Sequence, residues 1–103
     1  MNKYQQEIIR DAANDLLITI DRAVGAPIDA YGGFMLPDAE SYAQAMRVAR
    51  AEADAVWDEE LDPYERKIAS LLAVTFWMQR IAANMAGDQN LEVYFTETGE
   101  RMI

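Results

Sequence analysis

Apolar residues recur with a helical period in three stretches of this chain, and only near the C-terminus does strict alternation replace that period. Over residues 2–23, Ile9, Ala12, Leu16, Ile20 and Ala23 follow one another at spacings of three and four, with Ile8, Ala13 and Leu17 widening the stripe. Glu7, Asp11, Asn14 and Asp21 lie opposite. Such spacings place residues on one face of a 3.6-residue helix, so the pattern predicts an amphipathic helix. Gly25 and Pro27 end it, because glycine accepts the left-handed conformation of a helix stop and proline cannot continue the ladder. Ile18 falls on the polar face. It reads as a lone surface isoleucine, with an anchor for a partner as the alternative.

A second helix is expected over about 38–60. Asp38 is a good N-cap directly after Pro37, and Glu40 in the first turn complements the helix dipole. Tyr42, Met46, Ala49, Ala53 and Val56 alternate at four and three residues, with Trp57 beside the last, which reads as a bundle seam. The third helix, about 63–86, has the clearest start. In "DPYE", Asp62 caps, Pro63 takes the first helical position and Glu65 stands where a capping box needs its acid.

That third helix carries two apolar faces. One stripe is Tyr64, Ile68, Leu71, Thr75, Met78, Ala82 and Met85; the other is Ala69, Ala73, Phe76 and Ala83, flanked by Trp77 and interrupted by Arg80. The first two helices are expected to cover the first stripe, which leaves the second for another element. Burying Phe76 and Trp77 is worth roughly 2–3 kcal/mol each, so they are not expected to stay wet. A homodimer interface at Ala69, Ala73, Phe76, Trp77 and Arg80 is therefore expected. The C-terminal strand and the apolar loop "YGGFML" (residues 31–36) are the other candidate covers. In the loop, Gly32 and Gly33 allow a tight reversal, and the loop is expected to fold Tyr31, Phe34, Met35 and Leu36 back over the bundle. In "LEVYFT", Leu91, Val93 and Phe95 alternate with Glu92, Tyr94 and Thr96, the period of a half-buried strand. The expected fold is thus mainly α, one domain over 1–103: a three-helix bundle with a short C-terminal β-strand or hairpin at about 91–103.

Composition narrows the chemistry. The chain has 103 residues, 51% of them hydrophobic, which fits a single folded domain. It contains no cysteine and no histidine. Thiolate nucleophiles, imidazole bases, Ser-His triads and ordinary zinc sites are therefore excluded within one chain. Catalysis here would rest on carboxylates, with a hard ion such as magnesium. The first residues lack the layout of a signal peptide, and the longest apolar run, Ala69 to Met78, is too short to span a bilayer. A cytoplasmic protein without membrane contact is expected.

Charge is what makes the chain distinctive. Its net charge is −9, and residues 1–65 carry all of it, with fourteen acids against five bases. From Glu52 to Glu65 there are seven acids and no base. Glu7, Asp11 and Asp15 add a self-repelling ladder at i to i+4, which costs a few tenths of a kcal/mol per pair. Steps of four helical residues rise about 6 Å, close to every second phosphate of a DNA strand. Such a field disfavours direct contact with nucleic acid or anionic membrane and favours a basic partner. The candidate partner-binding acids are Glu7, Asp11, Asp15, Glu52, Asp54, Asp58, Glu59, Glu60 and Asp62. Arg47 and Arg50 share a flank with acids and do not form a nucleic-acid site.

Asp54 and Asp58, four apart, with the E-x-x-D spacing of Glu59 and Asp62, resemble half of the metal site of the all-α nucleotide pyrophosphohydrolases. That resemblance implies a small magnesium-dependent nucleotide hydrolase. The matching upstream E-x-x-E pair is missing, since that region offers only Asp38 and Glu40. The function expected first is therefore non-enzymatic, with no cofactor and no metal: an acidic interaction protein binding a basic surface of another macromolecule. Its most concrete form is a stoichiometric inhibitor or regulator of a nucleic-acid-binding protein, such as a phage counter-defence factor that mimics nucleic acid. A structural or adaptor subunit is the alternative, and the carboxylate–metal hydrolase the second.

Overall fold

Side chains acting as caps set where each helix begins. In the computed structural model, which describes residues 2–26 and 35–86, the helices are α1 (Lys3–Ala23), α2 (Ala39–Val56) and α3 (Pro63–Ala86). At the head of α1, Asn2 Oδ1 accepts the Gln5 backbone N–H at 2.8 Å. Asp38 does the same for Ser41 at 2.8 Å. The capping box of α3 is reciprocal: Glu65 N–H donates to Asp62 Oδ1 at 2.8 Å, and Asp62 N–H donates to Glu65 Oε1 at 2.9 Å. Each bond satisfies one of the donors that a helix start leaves open. The expected strand at 91–103 and residues Tyr31 to Phe34 of the apolar loop lie outside the described residues.

The protein is mainly helical, with three helices packed together. Gln5 reaches Glu65 near the starts of α1 and α3, and Asp21 meets Arg80 toward their ends, so these two helices run parallel. Asp15 contacts Trp57 and Thr19 contacts Glu52, which sets α2 antiparallel to α1. Where they meet, the packing is built on alanine. Ala12, Ala13, Ala45, Ala49, Ala53, Ala69 and Ala73 have no accessible surface, and Leu16, Ile20, Leu61, Val74 and Trp77 fill the space around them. Small side chains let helix axes approach closely, and the larger residues then fill the grooves beside the contact.

Four expectations need correction. The α2 seam is Ala45, Ala49 and Ala53; Tyr42 and Val56 are exposed, while Met46 and Trp57 pack only at its edge. Close approach through alanine turns α2 away from the heptad reading. Second, α2 ends at Val56, not near residue 60. Asp58, Glu59 and Glu60 would stand on the negative end of the helix dipole, and the chain instead turns there, with Leu61 N–H donating to Trp57 O at 3.0 Å. Third, the faces of α3 are exchanged. Ala69, Ala73, Phe76 and Trp77, expected at a dimer interface, are buried inside one chain against α1 and α2, and Arg80 pairs with Asp21 of α1. The stripe of Tyr64, Leu71 and Met85 faces outward instead. Fourth, Met35 and Leu36 are exposed, so this part of the apolar loop does not fold over the bundle.

Trp77 explains why its own stripe turned inward. Only 1% of it is exposed, and a buried indole N–H needs an acceptor. Its Nε1 donates to the Gly25 carbonyl at 3.1 Å. Gly25 ends α1 with φ +70, the left-handed conformation that glycine adopts at low cost. One residue thus closes α1 and supplies the acceptor for the largest core side chain.

Two outcomes follow for stability. A Cβ on Gly25 would meet only Asp21 O, at 3.9 Å, so Gly25→Ala should cost about 1 kcal/mol through backbone strain alone. Trp77→Ala should cost about 3–5 kcal/mol and show the larger midpoint shift in urea unfolding. A second test concerns the α2 cap. The Ser41 backbone N–H, and then the Ser41 hydroxyl, hold the Asp38 carboxyl below its ordinary value of 3.8. Because the folded value is depressed, the cap contributes fully above the ordinary value and is lost as pH falls through the folded one. The Ser41 amide signal should therefore move on acidification in the wild type and stay put in Asp38→Asn, which caps without titrating.

Candidate functional site

The acids singled out above separate into those the fold uses and those it leaves free in solvent. Asp62 caps α3. Asp54 accepts Arg66 Nε at 2.9 Å, and the same arginine donates from Nη1 to the Leu61 carbonyl at 2.7 Å, which pins the turn from both sides. Glu52 accepts the Thr19 hydroxyl at 3.1 Å, tying α2 to α1. Glu65, outside the candidate set, is buried, with one oxygen on the Asp62 amide and the other accepting Gln5 Nε2 at 2.8 Å. These carboxylates hold the structure together.

Asp58, Glu59 and Glu60 are exposed on the turn between α2 and α3, and Glu7 and Asp11 are exposed on α1. The two groups are far apart in sequence, but the fold brackets them. At one end, Trp57 Nε1 donates to Asp15 Oδ2 at 3.0 Å, which fixes the start of the turn beside the last rung of the α1 ladder. At the other, the Gln5–Glu65 bond fixes the start of α3 beside the first turn of α1. The acidic turn thus opens at a residue bonded to Asp15 and leads to a helix start bonded to Gln5. An indole N–H on a carboxylate is a charge-assisted bond, stronger than a neutral one.

Tyr4 and Ile18, both strongly exposed, stand on α1 near the ladder, and exposed Val56 precedes the turn. The surface is acidic with apolar points set into it. Among the described residues, no three acids converge in a geometry that would hold a metal ion. Asp54 and Asp62, half of the four acids in the metal-site resemblance, are engaged by Arg66 and by the α3 amide. Among the described residues, no helix is long and apolar enough to cross a membrane.

Reading by period missed the bonds of Gln5, Thr19 and Trp57, which tie α1 to α2 and α3. Trp57 did carry a signal, since an indole at a helix end needs an acceptor. Gln5 and Thr19 carried none, because a polar residue on the flank of an amphipathic helix looks the same whether or not it has a partner. No known protein family, curated protein or solved structure matches this chain.

Replacing Trp57 by Phe keeps most of the apolar contact and removes the N–H. The loss should be about 1.5 kcal/mol, the low end for a hydrogen bond to a charged group, because this one is exposed to solvent. Amide exchange in residues 57–61 should accelerate more than in the middle of α3.

Proposed function

We propose that this chain is a non-enzymatic interaction protein whose acidic face binds a basic surface of a partner macromolecule. The observation that supports the reading is the Asp15–Trp57 bond, which ties the last rung of the α1 ladder to the residue that opens the acidic turn. A protein that needed acids only for solubility gains nothing from a like-charged ladder on one helix and a run of acids in one turn, because their mutual repulsion works against folding. A positive surface relieves that repulsion on contact. The most concrete form is a stoichiometric inhibitor or regulator of a nucleic-acid-binding protein. Glu7, Asp11 and Asp15 rise in steps of about 6 Å, near the spacing of alternate phosphates that such a protein is built to accept.

Binding of this kind is steered by charge and screened by salt, with a Debye length of about 8 Å at physiological ionic strength. The test is capture of partners from the source cells on the immobilised protein, at low and at high salt, beside the quadruple reversal Glu7→Lys, Asp11→Lys, Asp58→Lys and Glu59→Lys. These side chains are exposed, so each change should alter stability by about 0.5 kcal/mol or less. The expected result is a stoichiometric partner that is lost with salt and lost in the reversed variant. A partner that is kept under both conditions would assign the chain to the adaptor class, with its acidity serving solubility.

A further inference from the structure

Arg47 and Arg50 stand three residues apart on α2 and so share one flank of the helix. The acids near them in sequence are Glu40, Glu52 and Asp54, and none of the three neutralises either arginine. Glu52 follows Arg50 by two residues, which turns it toward another side of the helix, and it accepts the Thr19 hydroxyl of α1. Asp54 stands four residues after Arg50, within pairing range, but it holds Arg66 of α3 instead. Glu40 precedes Arg47 by two helical turns, about 10 Å along the axis. The residues three and four positions from Arg47 are Ala43, Gln44, Arg50 and Ala51, none of them acidic. Among the described residues, neither arginine forms an ion pair. Two positive charges are thus left over side by side in a chain whose net charge is −9.

Arg50 shows the imbalance at one atom. Its side chain is half-buried, and its Nε is covered by the protein with no hydrogen-bond partner. A buried donor without an acceptor is costly, and more so when it belongs to a charged group. Arg66 shows the contrast, since it places Nε on Asp54 and Nη1 on the Leu61 carbonyl. What Arg50 lacks is a negatively charged acceptor.

We infer that Arg47 and Arg50 form a binding site for a phosphate monoester. Two unmatched positive charges suit a dianion, which a phosphate monoester is at pH 7 because its second pKa is about 6. A carboxylate would leave one arginine unmatched. Each guanidinium presents a planar fork of N–H groups that fits two phosphoryl oxygens at once. Arg50 turns outward to make that contact and exchanges an unbonded Nε for a bonded one, while exposed Arg47 closes on the same group. Two neighbouring arginines serve a single phosphoryl group rather than the repeated phosphates of a nucleic-acid strand, which the acids of this chain repel. Net charge does not forbid the site, since charges more than about 8 Å away are largely screened at physiological ionic strength.

The test is nitrogen-resolved NMR of the arginine Nε–H signals of the full chain, titrated with inorganic phosphate into the tens of millimolar at constant ionic strength. Arg50 should shift saturably, and binding should weaken about tenfold from pH 7 to pH 5 as the dianion takes up a proton. Sulfate, which keeps both charges over that range, should bind equally at either pH. Arg47→Gln, at an exposed position, should keep the fold and lose the saturable shift of Arg50. Arg50→Lys keeps the charge without the fork and should bind more weakly, read from the phosphate dependence of the melting temperature. No larger shift with phosphate than with chloride overturns the site. Acetate bound as tightly as phosphate overturns the choice of ligand. Binding unchanged in both variants overturns the assignment to this pair. Glycerol phosphate and a phosphoserine peptide then separate the two sources of the same group. Equal affinity assigns a free ester, and a peptide bound at least tenfold more tightly assigns a phosphorylated side chain. Failure of both to bind overturns the inference.

Discussion

The fold rests on which side of α3 is wedged between the other two helices. Ala69 and Ala73 let α1 and α2 approach closely, and Phe76 and Trp77 then fill the space beside that contact. Trp77 makes the choice binding, because its N–H must find an acceptor once buried, and the Gly25 carbonyl stands where α1 ends. With that face inside, Arg80 falls beside Asp21, Glu65 comes within reach of Gln5, and α2 is drawn in along its alanines. The outward seam follows from the same choice. A helix apolar on both sides that buries one of them necessarily presents the other.

The acidity of the chain divides along similar lines. Asp38, Asp62 and Glu65 stand at positive helix ends, where a carboxylate accepts backbone N–H groups and complements the dipole. Glu52 and Asp54 tie elements together through Thr19 and Arg66. What is left over, in the turn at Asp58 to Glu60 and on α1 at Glu7 and Asp11, is exposed and has no such use among the described residues. The outward stripe of α3, by contrast, carries no acid.

The candidate site was legible as a set of acids but not as an arrangement. The run from Glu52 to Glu65 and the ladder of Glu7, Asp11 and Asp15 stand out on inspection, because charge is written residue by residue. How the two ends of the turn are tied to α1 is not, since it depends on Trp57 and Gln5 bonding to residues 42 and 60 positions away. The separation of structural from surplus acids was only partly visible. The capping box at Asp62 and Glu65 is local and was read directly, while the Asp54–Arg66 pair, twelve residues apart, exists only because the chain turns between them.

The sequence alone determined the three helices of the described residues and where each begins, because caps, prolines and the 3.6-residue period act over a few neighbouring residues. It also determined that α3 is apolar on two sides. Only the tertiary structure decided which of those sides is the core, that α2 packs by Ala45, Ala49 and Ala53, and that α2 stops at Val56. Periodicity records how apolar a face is, and the two faces of α3 are comparably apolar. What separates them is how closely another helix can approach and whether a buried N–H meets an acceptor, and both depend on residues elsewhere in the chain.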